Sequence, residues 1–103
     1  MLHVLAFITA KPGMRDRLLA AFNENVPTVR AEVGCVAYGA AIDASGIGPI
    51  QTPLGPECFV VVEAWESAEA LAAHGASPHM KAYAAATKEL VASRTINVLA
   101  PFG

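Results

Sequence analysis

Charge is scarce in this chain. Only 16% of its 103 residues are Asp, Glu, Lys or Arg, and the formal net charge is −2. An average soluble domain carries roughly a quarter charged residues. With no basic cluster and no acidic tail, nucleic acid and anionic membrane surfaces are poor partners. Long apolar runs are missing too: no stretch approaches the ~20 residues that span a bilayer. Met1 to Ala10 is apolar but lacks a basic n-region and runs straight into Lys11-Pro12-Gly13, unlike a signal peptide. The cytoplasm is the expected location. Cysteine is limited to Cys35 and Cys58, which form neither a CxxC pair nor a disulfide framework, so both are expected reduced and buried. Gly46-Ile47-Gly48 lacks the strand-to-helix turn and third glycine of a phosphate loop. Ser45, Ser67 and Ser93 lack a nucleophile elbow.

Apolar residues take up the room that charge leaves, at 54% of the chain. A chain of this length is read as one domain, 1–103, with a single modest core. Its surplus of apolar side chains calls for a second buried surface, between two copies. A homodimer is therefore expected.

Residues 2–10 form the first expected strand. Both of its parities are apolar, with Val4, Ala6 and Ile8 on one and Leu5 and Phe7 on the other, as in a strand covered on both faces. Helices would cover one face and a second copy the other. Met14, Leu18, Leu19, Phe22, Val26 and Val29 then recur at helical spacing, which predicts a helix over 13–32. Pro27 removes a backbone donor inside it and predicts a kink or break near Asn25-Val26. Gly34 suits the helix end, because it takes a left-handed conformation without a Cβ clash. Residues 35–42 follow as a strand, and 43–57, rich in glycine and proline, as a long loop of the lid or contact-arm type.

Residues 58–65, with Val60-Val61-Val62 at their centre, are the most strongly marked strand. Ser67 is placed to cap a second helix, with Glu66 and Glu69 near its positive end. Gly75 is expected to interrupt that helix and Ser77-Pro78 to restart it. Met80, Tyr83, Ala84, Leu90 and Val91 make up the stripe of the second segment. Residues 95–99 close the chain as a strand. The order β-α-β-β-α-β is the split βαβ arrangement of the ferredoxin-like fold, an α+β architecture with an antiparallel sheet and its helices on one face.

In this order, Lys11-Pro12-Gly13, Glu32-x-Gly34-Cys35 with Tyr38, Glu63-x-Trp65-Glu66-Ser67, Ala70-Leu71 with His74, and Ser77-Pro78-His79 resemble the antibiotic biosynthesis monooxygenase domain, the dimeric α/β barrel. The nearest likeness is its small quinol monooxygenase group. The resemblance implies a homodimer with facing sheets and a hydrophobic cavity between sheet and helices in each subunit. It implies oxidation of quinol-like or polycyclic phenols by molecular oxygen, with no metal and no bound organic cofactor. The haem-degrading branch is disfavoured: the first strand has no asparagine, and Ala84 stands where that branch places its iron ligand. Val33 departs from the proline frequent in the family, and the 43–57 loop is longer than in many members.

Within that resemblance His74 and Trp65 are the candidate catalytic residues. His74 could accept a phenolic proton or donate a hydrogen bond to it. It could equally cap a helix end through a backbone carbonyl. Trp65 could stack on an aromatic substrate or serve the core, where its N–H needs a partner. Phe59, Glu63, Tyr38, His79, Met80, Tyr83 and Phe22 are candidate substrate-binding residues. Glu63 shares the parity of Phe59, Val61 and Trp65, so it is either inward and hydrogen-bonded or solvated at the strand end. A His74/His79 metal pair is disfavoured, since five residues of helix separate them by about 140° and no third ligand is evident. The expected activity is a cofactor-independent monooxygenase. A non-catalytic dimeric binding module and a cyclase or isomerase on a polyketide-like substrate are the alternatives.

Overall fold

The structure is a computed structural model that describes all 103 residues. Its elements are β1 (Leu2–Ala10), α1 (Arg15–Arg30), β2 (Cys35–Ala41), β3 (Cys58–Trp65), α2 (Ala68–Ala76), α3 (Pro78–Thr87) and β4 (Val91–Leu99). The four strands pair antiparallel in the order β2-β3-β1-β4. This is the ferredoxin-like α+β fold, with the second helical region in two pieces.

Register decides which side chains meet the helices. Val4 pairs with Glu63 and Val98, Ala6 with Val61 and Ile96, and Ile8 with Phe59 and Arg94. Tyr38 joins this row opposite Glu63. Side chains alternate across a strand, so these residues share one face with Trp65. Leu18, Phe22, Val26 and Val29 of α1 pack onto it as the core. The opposite face carries Leu5, Phe7, Val60 and Val62, and no helix lies over it. Val62 there is 45% exposed.

Several boundaries differ from expectation for local reasons. Helix α1 continues as one element through Pro27. Gly75 remains helical, and the interruption falls at Ser77, whose ψ of 148° is extended. Pro78 disfavours the helical region for the residue before it, which moves the break there. Ser77 ends one helix and caps the next, its Oγ accepting from the Met80 amide at 3.3 Å. Strand β4 starts at Val91, so Val91 belongs to the sheet and not to a helical stripe, and Leu90 lies in the turn before it. Cys58 is buried, while Cys35 is half-buried, and both are free thiols.

The 43–57 loop is closed on itself by Asp43. Its carboxylate accepts from the amides of Leu54 (2.8 Å) and Gly55 (3.0 Å) and from Gln51 Nε2 (3.2 Å). Asp43 is held below the usual carboxylate range chiefly by those two amides. No helix of the chain is long and apolar enough to cross a membrane.

Candidate active site

Between the helix-facing side of the sheet and helices α2 and α3 lies a cavity of about 870 Å³. Val4, Ala6 and Val61 form its floor, and Leu71, Met80 and Tyr83 its helical wall. Of the expected site residues, Phe22, Tyr38, Glu63, His74, Met80 and Tyr83 line it. Phe59, Trp65 and His79 stand off its surface. Phe59 and Trp65 are fully buried behind it, and His79 meets Glu32 instead.

Trp65 serves as backing for the polar end. Its indole N–H donates to Glu63 Oε1 at 2.8 Å, and its ring lies 4.7 Å from that of His74. Tyr38 meets the same imidazole edge-on at 5.5 Å and stacks on Phe22 at 5.2 Å. These contacts leave His74 little rotational freedom. Its Nδ1 lies 2.8 Å from Glu32 Oε2. Its Nε2 bonds no group of the chain and is not sealed from the cavity that the ring lines. It is the nitrogen left for a ligand.

Burial shapes the acids at this end. It pushes the Glu63 carboxyl above its ordinary value, against the Trp65 bond and the nearby His74. Burial, then the Glu63 charge, raises the Tyr38 hydroxyl strongly. Burial also raises Tyr83. Both phenols therefore stay protonated as hydrogen-bond donors.

Glu32 is the residue that sequence reasoning missed as part of the site. It stands in the turn after α1, and its Oε2 also meets His79 Nε2 at 2.8 Å. The extended Ser77 swings His79 toward His74, so the angle for an unbroken helix does not apply. Burial opposes ionisation of Glu32, but the hydrogen bonds and charges of His74 and His79 prevail and hold its carboxyl below the ordinary value. The three donor atoms lie within 4.8 Å of one another, and their types suit a divalent cation. The two O···N separations of 2.8 Å are hydrogen-bond lengths, shorter than the about 3.3 Å edge of a tetrahedral zinc site. We read the cluster as a hydrogen-bonded triad.

Gly34 brings this turn against α2. Its φ is +85°, and a Cβ there would sit 2.5 Å from Ala70 Cβ. Its carbonyl accepts from the Glu66 amide at 2.8 Å. Lys81, Lys88 and Arg94 also line the cavity. These are three of the chain's 7 basic residues, and none is in an ion pair.

Comparison with known proteins gives a consistent picture. The family model described as antibiotic biosynthesis monooxygenase matches residues 1–86. Probable quinol monooxygenase YgiN of Escherichia coli K12 is 40% identical over 103 residues, covering 98% of each chain. Among solved structures, Rv0793 of Mycobacterium tuberculosis superposes with a TM-score of 0.80 at 30% identity, over 99% of this chain and 95% of its own. PA3566 of Pseudomonas aeruginosa gives 0.82 at 25% identity, over 99% and 94%.

Proposed function

The chain belongs to the antibiotic biosynthesis monooxygenase family, and we propose that its cavity oxygenates a quinol-like or polycyclic phenol with molecular oxygen. The observation that carries this reading is the open Nε2 of a buried His74 in an apolar cavity. Such a nitrogen can take a phenolic proton where water competes weakly. The resulting electron-rich anion passes one electron to oxygen. The substrate radical and superoxide then join at carbon as a hydroperoxide. Loss of water from a C–H hydroperoxide leaves a carbonyl, so one oxygen atom enters the product and the other departs as water. The substrate supplies the reducing electrons. Tyr38 and Tyr83 donate hydrogen bonds to its oxygens, Phe22 and Met80 flank its rings, and the basic side chains of the lining suit an acidic substituent.

A second copy packs on the uncovered sheet face in this reading. The half-buried Leu5, Phe7 and Val60 and the exposed Val62 of that face support it, and sedimentation at micromolar concentration measures it.

Oxygen uptake with a panel of quinols and anthrones tests the activity. One labelled oxygen atom per product molecule is expected, with His74→Ala at least about 10²-fold slower. Turnover without oxygen incorporation would indicate a cyclase or isomerase. Tight binding without turnover would indicate a binding module. Wild-type rates in His74→Ala would remove the base from this mechanism.

A further inference from the structure

We propose that Glu32 is the positioning residue of the site: its carboxylate fixes the tautomer and orientation of His74, and His79 anchors it for that task. This rests on the reading of His74 as the base.

Three elements converge here. Glu32 comes from the turn after α1, His74 from the end of α2 and His79 from the start of α3. The Glu32 backbone is tied at both ends, its amide donating to the Val29 carbonyl (2.9 Å) and its own carbonyl accepting from Cys35 (3.2 Å). Its side chain is 13% exposed and that of His74 8%, so the carboxylate is largely shielded from water. One oxygen, Oε2, receives both imidazoles at 2.8 Å. A carboxylate oxygen only accepts, so His74 must hold a proton on Nδ1 and His79 one on Nε2. In neutral His74 that leaves Nε2 with a lone pair and no partner in the chain, on a ring that lines the cavity. When the substrate O–H breaks and an N–H forms at Nε2, the imidazolium lies beside the Glu32 charge, as in the acid–histidine pair of hydrolytic triads.

No Lys or Arg pairs with this carboxylate. Arg30 is the nearest basic residue in sequence, and its Nε donates to the Tyr38 carbonyl at 3.0 Å. The other groups around His74 are Trp65, Tyr38 and the buried Glu63, and Cys35 lies near Glu32. His79 is the more exposed imidazole, at 27%. It also touches Ser77 Oγ at 3.2 Å, and that hydroxyl donates to the His74 carbonyl at 2.7 Å. The anchor is thereby linked to the backbone of the residue it helps to orient.

Two measurements on the full chain test this. The first is nitrogen-15 NMR of the histidines, which needs no substrate. Wild-type His74 is expected as the Nδ1–H tautomer, and Glu32→Gln as a mixture. A wild-type Nε2–H tautomer would overturn the proposal. The second is the pH profile of kcat on an active phenol. Glu32→Gln is expected to lose about 10²-fold in kcat with KM little changed. Its acid limb should move to lower pH, because the imidazolium loses its counter-charge. Glu32→Asp should recover part of the rate, and His79→Gln, which keeps an N–H donor, more than His79→Ala. Wild-type kcat and an unmoved acid limb in Glu32→Gln, alongside an inactive His74→Ala, would leave His74 as the base and refute the role of Glu32. Activity surviving in His74→Ala would instead refute the base itself. If Glu32→Gln does not fold, the wild-type tautomer and the His79 pair still decide.

Discussion

Trp65 donates its indole N–H to Glu63, two positions earlier on the same strand, at 2.8 Å. The bond turns a bulky core residue into support for a carboxyl that faces the cavity. Burial raises Glu63 above its ordinary 4.5, so the folded state favours its protonated form. Its contribution to stability is complete below the unfolded value and is lost as pH rises through the raised folded value. Trp65→Phe removes the donor that opposes the rise. Urea denaturation should show Trp65→Phe losing about 1–3 kcal/mol, with a larger loss at pH ~8 than at pH ~5. Glu63→Gln should flatten the pH dependence over that window.

Glu32 has the opposite sign. Its carboxyl is held below the ordinary value by His74 and His79 against burial. Its stabilisation is present above the unfolded value and is lost as pH falls through the folded one. Thermal melts from pH ~6 down to pH ~3 should show this loss in wild type. Glu32→Gln should start lower and change less.

Gly34 and Ala70 should couple. A side chain at position 34 meets both a left-handed φ of +85° and the Ala70 Cβ at 2.5 Å. Gly34→Ala is expected to cost about 2–4 kcal/mol by denaturant titration. Ala70→Gly costs about 1 kcal/mol as a helical glycine but clears the clash. The double variant should therefore be more stable than the sum of the two changes, by roughly 1 kcal/mol or more.

Arg94 occupies an inward-facing register position opposite Ile8 and has no ion-pair partner. Arg94→Gln should raise KM several-fold, about 5-fold, for an acid-bearing phenol and leave a neutral analogue unaffected. The difference should shrink as salt is added, which steady-state kinetics at two ionic strengths would measure.

What was legible in the sequence is what short-range pattern encodes. The valine run of β3, the Ser67 cap and the stripe of α1 lie in contiguous residues, and each falls where its pattern places it. The start of β4 did not, because Leu90 and Val91 continue a helical spacing that pairing with Ala10 overrides. Gly75 drew the break to itself by propensity, although the proline two positions past Ala76 decides it. The largest omission was the function of Glu32. It lies 42 and 47 positions from the two histidines it joins, and no local spacing announces such a meeting. The Glu-x-Gly motif marked the turn, and the close approach of Gly34 to Ala70, with the Gly34 carbonyl bonded to the Glu66 amide, brings that turn to α2 and His74.

The edge strand β4 also bears on how a ligand would arrive. Ile96 and Val98 line the cavity yet remain 53% and 51% exposed, because no helix of the same chain covers them. The doorway of an isolated chain is thus standing open. A ligand of the proposed kind would enter such a chain without a hinge or loop swinging aside, at a rate set by encounter.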